Sequence, residues 1–249
     1  MTRSCSGGRD CTEDLRTAER AFLDTGDERH LDRAEDLVQG CLREAPFAHG
    51  TRLWLSLLRY DRAGDDRHLD IAVRACCAGS WQNPALADVA PAVLLRRWAR
   101  DGEVADLDRV IRLGQATGAG EAVPAGNQEI PLWLTPAWRA IDIACTYLER
   151  GRLHNADDDL LTARGILHGA IRAARQPAIR ALGLRHLAAC EQELYLRHGS
   201  RRLLDQAIRR YERALAITGK NSVLRPMLLT ELAGVSNDHG LLRPARLPA

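Results

Sequence analysis

Aromatic residues are scarce in this 249-residue chain, where five Trp, four Tyr and two Phe amount to 4%. A core of useful size must therefore come from Leu, Ala, Ile and Val within the 45% hydrophobic content. No run of about 18 or more apolar residues is present, which excludes a hydropathy-defined membrane helix. Residues 1–10 lack an apolar stretch, so no signal peptide is expected and the cytoplasm is the expected location. Lysine is nearly missing: Lys220 stands alone. Enzyme signatures are missing as well. There is no HExxH, no GxSxG, no GxxxxGK followed by Ser or Thr and no paired CxxC, and the glycines near Gly118 and Gly120 do not complete GxGxxG. These gaps weigh against the common catalytic classes and leave only an unusual enzyme on a repeat scaffold. No cofactor is implied.

The seven cysteines (Cys5, Cys11, Cys41, Cys76, Cys77, Cys145 and Cys190) lack regular spacing. In a reducing compartment they read as small buried hydrophobes. The adjacent Cys76 and Cys77 point about 100° apart on a helix and are poorly placed to act together.

Net charge is +2, too close to neutral to imply a nucleic-acid partner, but it is unevenly spread. Residues 1–150 hold 19 Lys/Arg against 24 Asp/Glu, and residues 151–249 hold 16 against 9. Such a chain can steer a partner or pair head to tail with itself as a homo-oligomer; drifting composition on solvated helix faces is the plainer reading.

A repeat is written through the chain. Gly26, Gly64, Gly102, Gly151 and Gly199 each follow an aromatic by four residues (Phe22, Tyr60, Trp98, Tyr147, Tyr195). Each precedes an aspartate by six (Asp32, Asp70, Asp108, Asp157, Asp205). A helix ending on a left-handed glycine, followed by a second helix opening near the aspartate, accounts for both offsets. The apolar residues Leu204, Ala207, Ile208, Tyr211, Ala214 and Leu215 recur at helical spacing. The pattern predicts helices over 12–24, 30–44, 47–62, 68–78, 83–101, 105–117, 136–150, 157–175, 178–197, 201–217 and 224–239. One hairpin cannot bury its apolar faces alone, so periods of this size predict a stacked array spanning 12–241, with loose ends at 1–11 and 242–249.

Ala207-Ile-Arg-Arg-Tyr-Glu-Arg-Ala-Leu-Ala-Ile217, after Tyr195 and Gly199, resembles the second half of a tetratricopeptide repeat. The extended Gly-x-x-x-x-Leu-Asp-x-Ala turn is similar to the longer form of that repeat in bacterial regulatory and signalling proteins, where it sometimes accompanies caspase-like protease domains. The resemblance covers about residues 12–235 and brings no catalytic residue with it. It implies an all-α fold, a right-handed superhelical array of about five antiparallel helix hairpins, and a concave groove that binds a peptide or partner protein.

Two departures from the register stand out. A Gly- and Pro-containing insertion at 118–135 reads either as a lid or binding loop, or as a plain insertion whose Trp133 plugs a gap between repeats. The run Asp157-Asp158-Asp159 reads as a helix-start cluster before it reads as a cation site.

Counting back from the aromatic in each first helix selects the groove lining: Trp54, Leu58 and Asp61; Ala92, Leu95 and Arg96; Trp138, Ile141 and Leu148; Arg185, His186, Ala189, Glu193 and Leu196. Trp54, Trp133, Trp138, Leu58 and Ile141 would supply apolar walls, and Arg96, Arg185, His186 and Glu193 polar handles; alternatively the tryptophans are inter-helix core. His186, Cys190 and Glu193 share a helix face, but three residues on one helix rarely complete a metal site, and His186 with Glu193 makes a weak catalytic pair. The leading expectation is a non-catalytic scaffold for a peptide or partner protein. The alternative is a binder of a small apolar or anionic ligand, or an atypical biosynthetic enzyme, with the 118–135 loop as lid. Arg201, Arg202, Arg209, Arg210 and Arg213 form a basic side without interleaved aromatics, which favours an acidic protein or anionic ligand over nucleic acid.

Overall fold

The computed structural model describes residues 8–45, 47–78, 84–116, 133 and 135–241. These residues form eleven α-helices and no strand. In order they are α1 (Gly8–Thr25), α2 (Arg29–Gln39), α3 (Ala48–Ala63), α4 (Asp66–Ala78), α5 (Pro84–Asp101), α6 (Val104–Ala116), α7 (Pro136–His154), α8 (Asp157–Ala173), α9 (Pro177–His198), α10 (Arg201–Ile217) and α11 (Leu224–Leu241). Every expected helix is present. α1 starts inside the segment expected to be loose, and α2 stops early, where the Gly40 N–H donates to Asp36. The expected tail at 242–249 and most of the 118–135 insertion lie outside the described residues.

Gly26, Gly64, Gly102 and Gly199 sit at φ between 66° and 74°. Each donates its N–H to the carbonyl of the aromatic four residues earlier, at 2.7–2.8 Å, which is the left-handed cap that spacing predicts. The fourth unit differs. α7 runs through Gly151, which is buried, and ends on Asn155 at φ 53°. A Cβ on Gly151 would lie 2.9 Å from Leu160 and 3.2 Å from the Ala156 carbonyl, so this glycine serves the close approach of α7 and α8 instead of a turn.

Asp32 and Asp157 stand in the first turns of α2 and α8, as the offset predicts, but among the described residues neither helix has a side-chain cap hydrogen bond, and the register aspartates have a further role. The even-numbered helices open three or four residues before them, except α8, which opens on Asp157. Asp32, Asp70, Asp108 and Asp157 accept hydrogen bonds from Arg59, Arg100, Arg150 and Arg197, each on the following odd-numbered helix, at 2.7–3.2 Å. Asp159 is taken by Arg150 at 2.7 Å, so ion pairing accounts for much of the acidic run.

Each helix packs on the next, and α3, α5, α7, α9 and α11 also touch in succession. The main core runs from α1 to α9, and a second cluster around Tyr211 joins α9, α10 and α11. The first helix meets the turn before the last one. Ser222 and Val223, in the turn before α11, donate to the Leu23 carbonyl at the end of α1, at 3.0 and 3.3 Å. Cys11 and Cys41 form a disulfide across the first helix pair, which corrects the expectation of thiols throughout; Cys76, Cys145 and Cys190 are buried. Such a bond persists in oxidising surroundings and is reduced in a cytosol, so the compartment decides its state. Among the described residues no helix is long and apolar enough to cross a membrane.

Candidate functional site

The apolar candidates are core. Trp54, Leu58, Trp133, Trp138 and Ile141 are all under 9% exposed. Trp133 stacks on Trp54 with ring centroids 6.3 Å apart, and Trp138 meets Trp54 edge-on at 5.0 Å. These contacts favour packing over the open walls proposed from spacing. α7 begins beside this cluster: Pro136 occupies its first turn and the Thr135 hydroxyl accepts the Trp138 N–H. Leu148 is buried too, whereas Leu196 is exposed.

The polar candidates form a series across the odd-numbered helices. Arg96 on α5 grips Asp61 on α3 with two hydrogen bonds of 2.8 and 2.5 Å, donates a third to the Ala92 carbonyl, and lies 5.7 Å over the Trp54 ring. Arg139 on α7 bonds Asp88 on α5 at 2.6 Å. Arg152 on α7 reaches Glu193 on α9 at 3.2 Å and Glu149 at 2.8 Å. Arg185 on α9 grips Glu231 on α11 through three contacts of 2.6–3.0 Å. Each pair ties one odd-numbered helix to the next, and Arg96 and Arg185 do so with the planar fork that arginine presents to a carboxylate.

Within this series Asp142, on α7, is different. It is partly buried, and among the described residues its carboxylate accepts no hydrogen bond. Burial pushes that carboxyl up to about 7, with Arg96 opposing and Asp61 reinforcing the shift. Arg96 cannot relieve it, because its donors are committed to Asp61 and Ala92. Cys145, one turn along, is buried, and its thiol is driven well above its ordinary range by burial and then by Asp142. Burial and the neighbouring Arg185 hold His186 down at about 3, so its imidazole is neutral at physiological pH. The Cys190 thiol is pushed up to about 12 by burial. Both thiols therefore stay protonated and are poor nucleophiles.

His186 contacts Arg185 at 3.4 Å and is not joined to Glu193, which is held by Arg152 and Arg197. The weak catalytic pair is thus not assembled, and among the described residues no group of His, Cys, Asp and Glu could hold a metal ion. Asp142, Glu149, Arg152 and Glu231 are not among the residues that spacing selects. The signal for the three on α7 was present: counting back from Asn155 as the cap returns Arg152, Glu149, Cys145 and Asp142 at the offsets that relate Leu196, Glu193, Ala189 and His186 to Gly199. No family model matches the sequence, and neither the curated proteins nor the solved structures contain a significant match.

Proposed function

We propose that the helices stack as a right-handed, tetratricopeptide-like superhelical array serving as a non-catalytic scaffold. In this reading it holds a peptide or partner-protein segment against the face shared by its odd-numbered helices. The observation that carries the reading is the contrast along that face. Arg96, Arg152 and Arg185 are satisfied by carboxylates of this chain, whereas among the described residues the Asp142 carboxylate accepts no hydrogen bond. Held between committed neighbours, it suits a cationic group, such as a lysine or arginine of the bound segment, which would replace the missing partner.

Partner capture by the wild type, Asp142→Asn and Arg185→Ala proteins tests this. Both variants should lose capture while keeping the helical circular dichroism signal, and wild-type capture should strengthen as pH rises through about 7, where Asp142 ionises. Equal yields from all three proteins would sink the assignment.

The same carboxyl also favours a second reading, because a group that titrates near 7 suits acid–base chemistry on a small ligand. That reading expects a co-purified small molecule in the mass spectrum of denatured protein; a clean spectrum counts against it.

A further inference from the structure

The opposite side of α9 carries a second polar arrangement, independent of the first. Glu191 lies about 200° around the helix from Ala189. It is wholly buried, and among the described residues neither carboxylate oxygen has a hydrogen-bond partner. α8 and α10 both pack on α9 and bring an arginine from each side. Arg164 Nε lies 3.9 Å from one oxygen and Arg210 Nε 3.7 Å from the other. Burial raises the Glu191 carboxyl, and Arg210 and Arg164 oppose that shift. The carboxylate thus anchors two guanidinium groups whose terminal nitrogens make no recorded hydrogen bond among the described residues.

Further cationic residues extend this arrangement along both helices. On α8, Arg164, His168 and Arg172 follow one another at intervals of four, and the His168 imidazole is held down by burial and then by Arg210, Arg164 and Arg172. On α10, Arg209, Arg210 and Arg213 border an open surface cavity of about 650 Å³ with Gln206, Glu212 and Ala216. Arg172, Arg209 and Arg213 are exposed and make no recorded ion pair or hydrogen bond among the described residues.

We propose that this outer face of α8 and α10 is a docking surface for an acidic peptide segment of a partner protein. Unpaired guanidinium groups beside two anchored ones offer carboxylates bidentate contacts without first breaking internal pairs. The open surface suits a chain better than a small convergent anion. From Arg164 to Arg172 the α8 row spans about 12 Å, which is about four residues of extended peptide. No aromatic lines the cavity to stack a base, as a nucleic-acid strand would need.

The test is fluorescence anisotropy with a labelled peptide alternating Asp, Glu and Gly. Arg209→Glu combined with Arg213→Glu changes only exposed side chains, and circular dichroism verifies the fold. Binding should weaken by about tenfold or more in the double variant, by less in Arg172→Glu, and by about tenfold in the wild type between 0.05 and 0.5 M salt. Asp142→Asn should leave it unchanged, which separates this face from the one proposed above. Peptide affinity indifferent to both surface variants overturns the proposal. So does tighter binding of a single-stranded oligonucleotide of equal charge, lost in the same double variant. A salt-sensitive dimer that the double variant dissolves, without peptide binding, also overturns it and assigns the face to a second copy of this chain.

Discussion

Asp142 and His186 pull the pH dependence of folding in opposite directions. The Asp142 carboxyl is raised from 3.8 to about 7, so the folded state keeps a proton that the unfolded chain has lost. Its contribution is complete below about 3.8 and disappears as pH climbs to about 7. His186 is lowered from 6.5 to about 3, so its contribution is complete above 6.5 and is lost as pH falls towards 3. Between about pH 4 and 6.5 the two slopes offset each other. Asn at position 142 imitates the protonated acid, so Asp142→Asn should match the wild type near pH 4 and exceed it at pH 8. After allowance for partial exposure, the gain at pH 8 is on the order of 2 kcal/mol. Thermal melts across this range decide the point; parallel profiles for the two proteins would exclude a raised Asp142. A residue that weakens the fold at neutral pH and still occupies the shared face is what a binding role would produce.

At the scale of helices, the decisive feature is where α7 stops. Asn tolerates the left-handed region because its short side chain can hydrogen-bond locally, and Gly tolerates it because it has no Cβ. Asn155→Gly should therefore change stability by less than about 0.5 kcal/mol, and Asn155→Ala should cost about 1 kcal/mol in urea titrations. Equal costs for both would mean that the cap conformation is not what stabilises this end. The eleven helices were legible because helical periodicity and glycine caps are local signals. The cap of α7 was not, since Gly151 stands at the regular distance from Tyr147 and looks like the other four. That single error moved the expected lining onto Ile141 and Leu148, which are core, and away from Asp142 and Glu149. The aspartate pattern was visible, but only its helix-start half was read and the ion pairs were not. Capping is a rule about neighbours in sequence, whereas Asp32 and Arg59 meet across 27 residues because two helices pack. The same holds for Arg185 with Glu231 and for Cys11 with Cys41.

On the scale of the whole molecule, the contact of Ser222 and Val223 with Leu23 makes the first helix pair and the last turn depend on each other. Gly26 and Gly64 provide a matched comparison, because both hold φ near 70° but only Gly26 has a neighbour where a Cβ would go, Val223 Cγ1 at 2.7 Å. Gly64→Ala should cost about 1 kcal/mol through backbone strain, and Gly26→Ala roughly 1–3 kcal/mol more through the collision. Adding Val223→Ala to Gly26→Ala should recover part of the difference, and equal losses at the two glycines would argue that this contact is absent in solution. The contact also bears on how such a chain can evolve. An open array can gain or lose a unit by duplication or deletion and still present the same kind of terminus. Here a unit more or fewer between them would carry Leu23 away from Ser222, so homologues that keep this contact should differ in loop length before they differ in the number of units between α1 and α11.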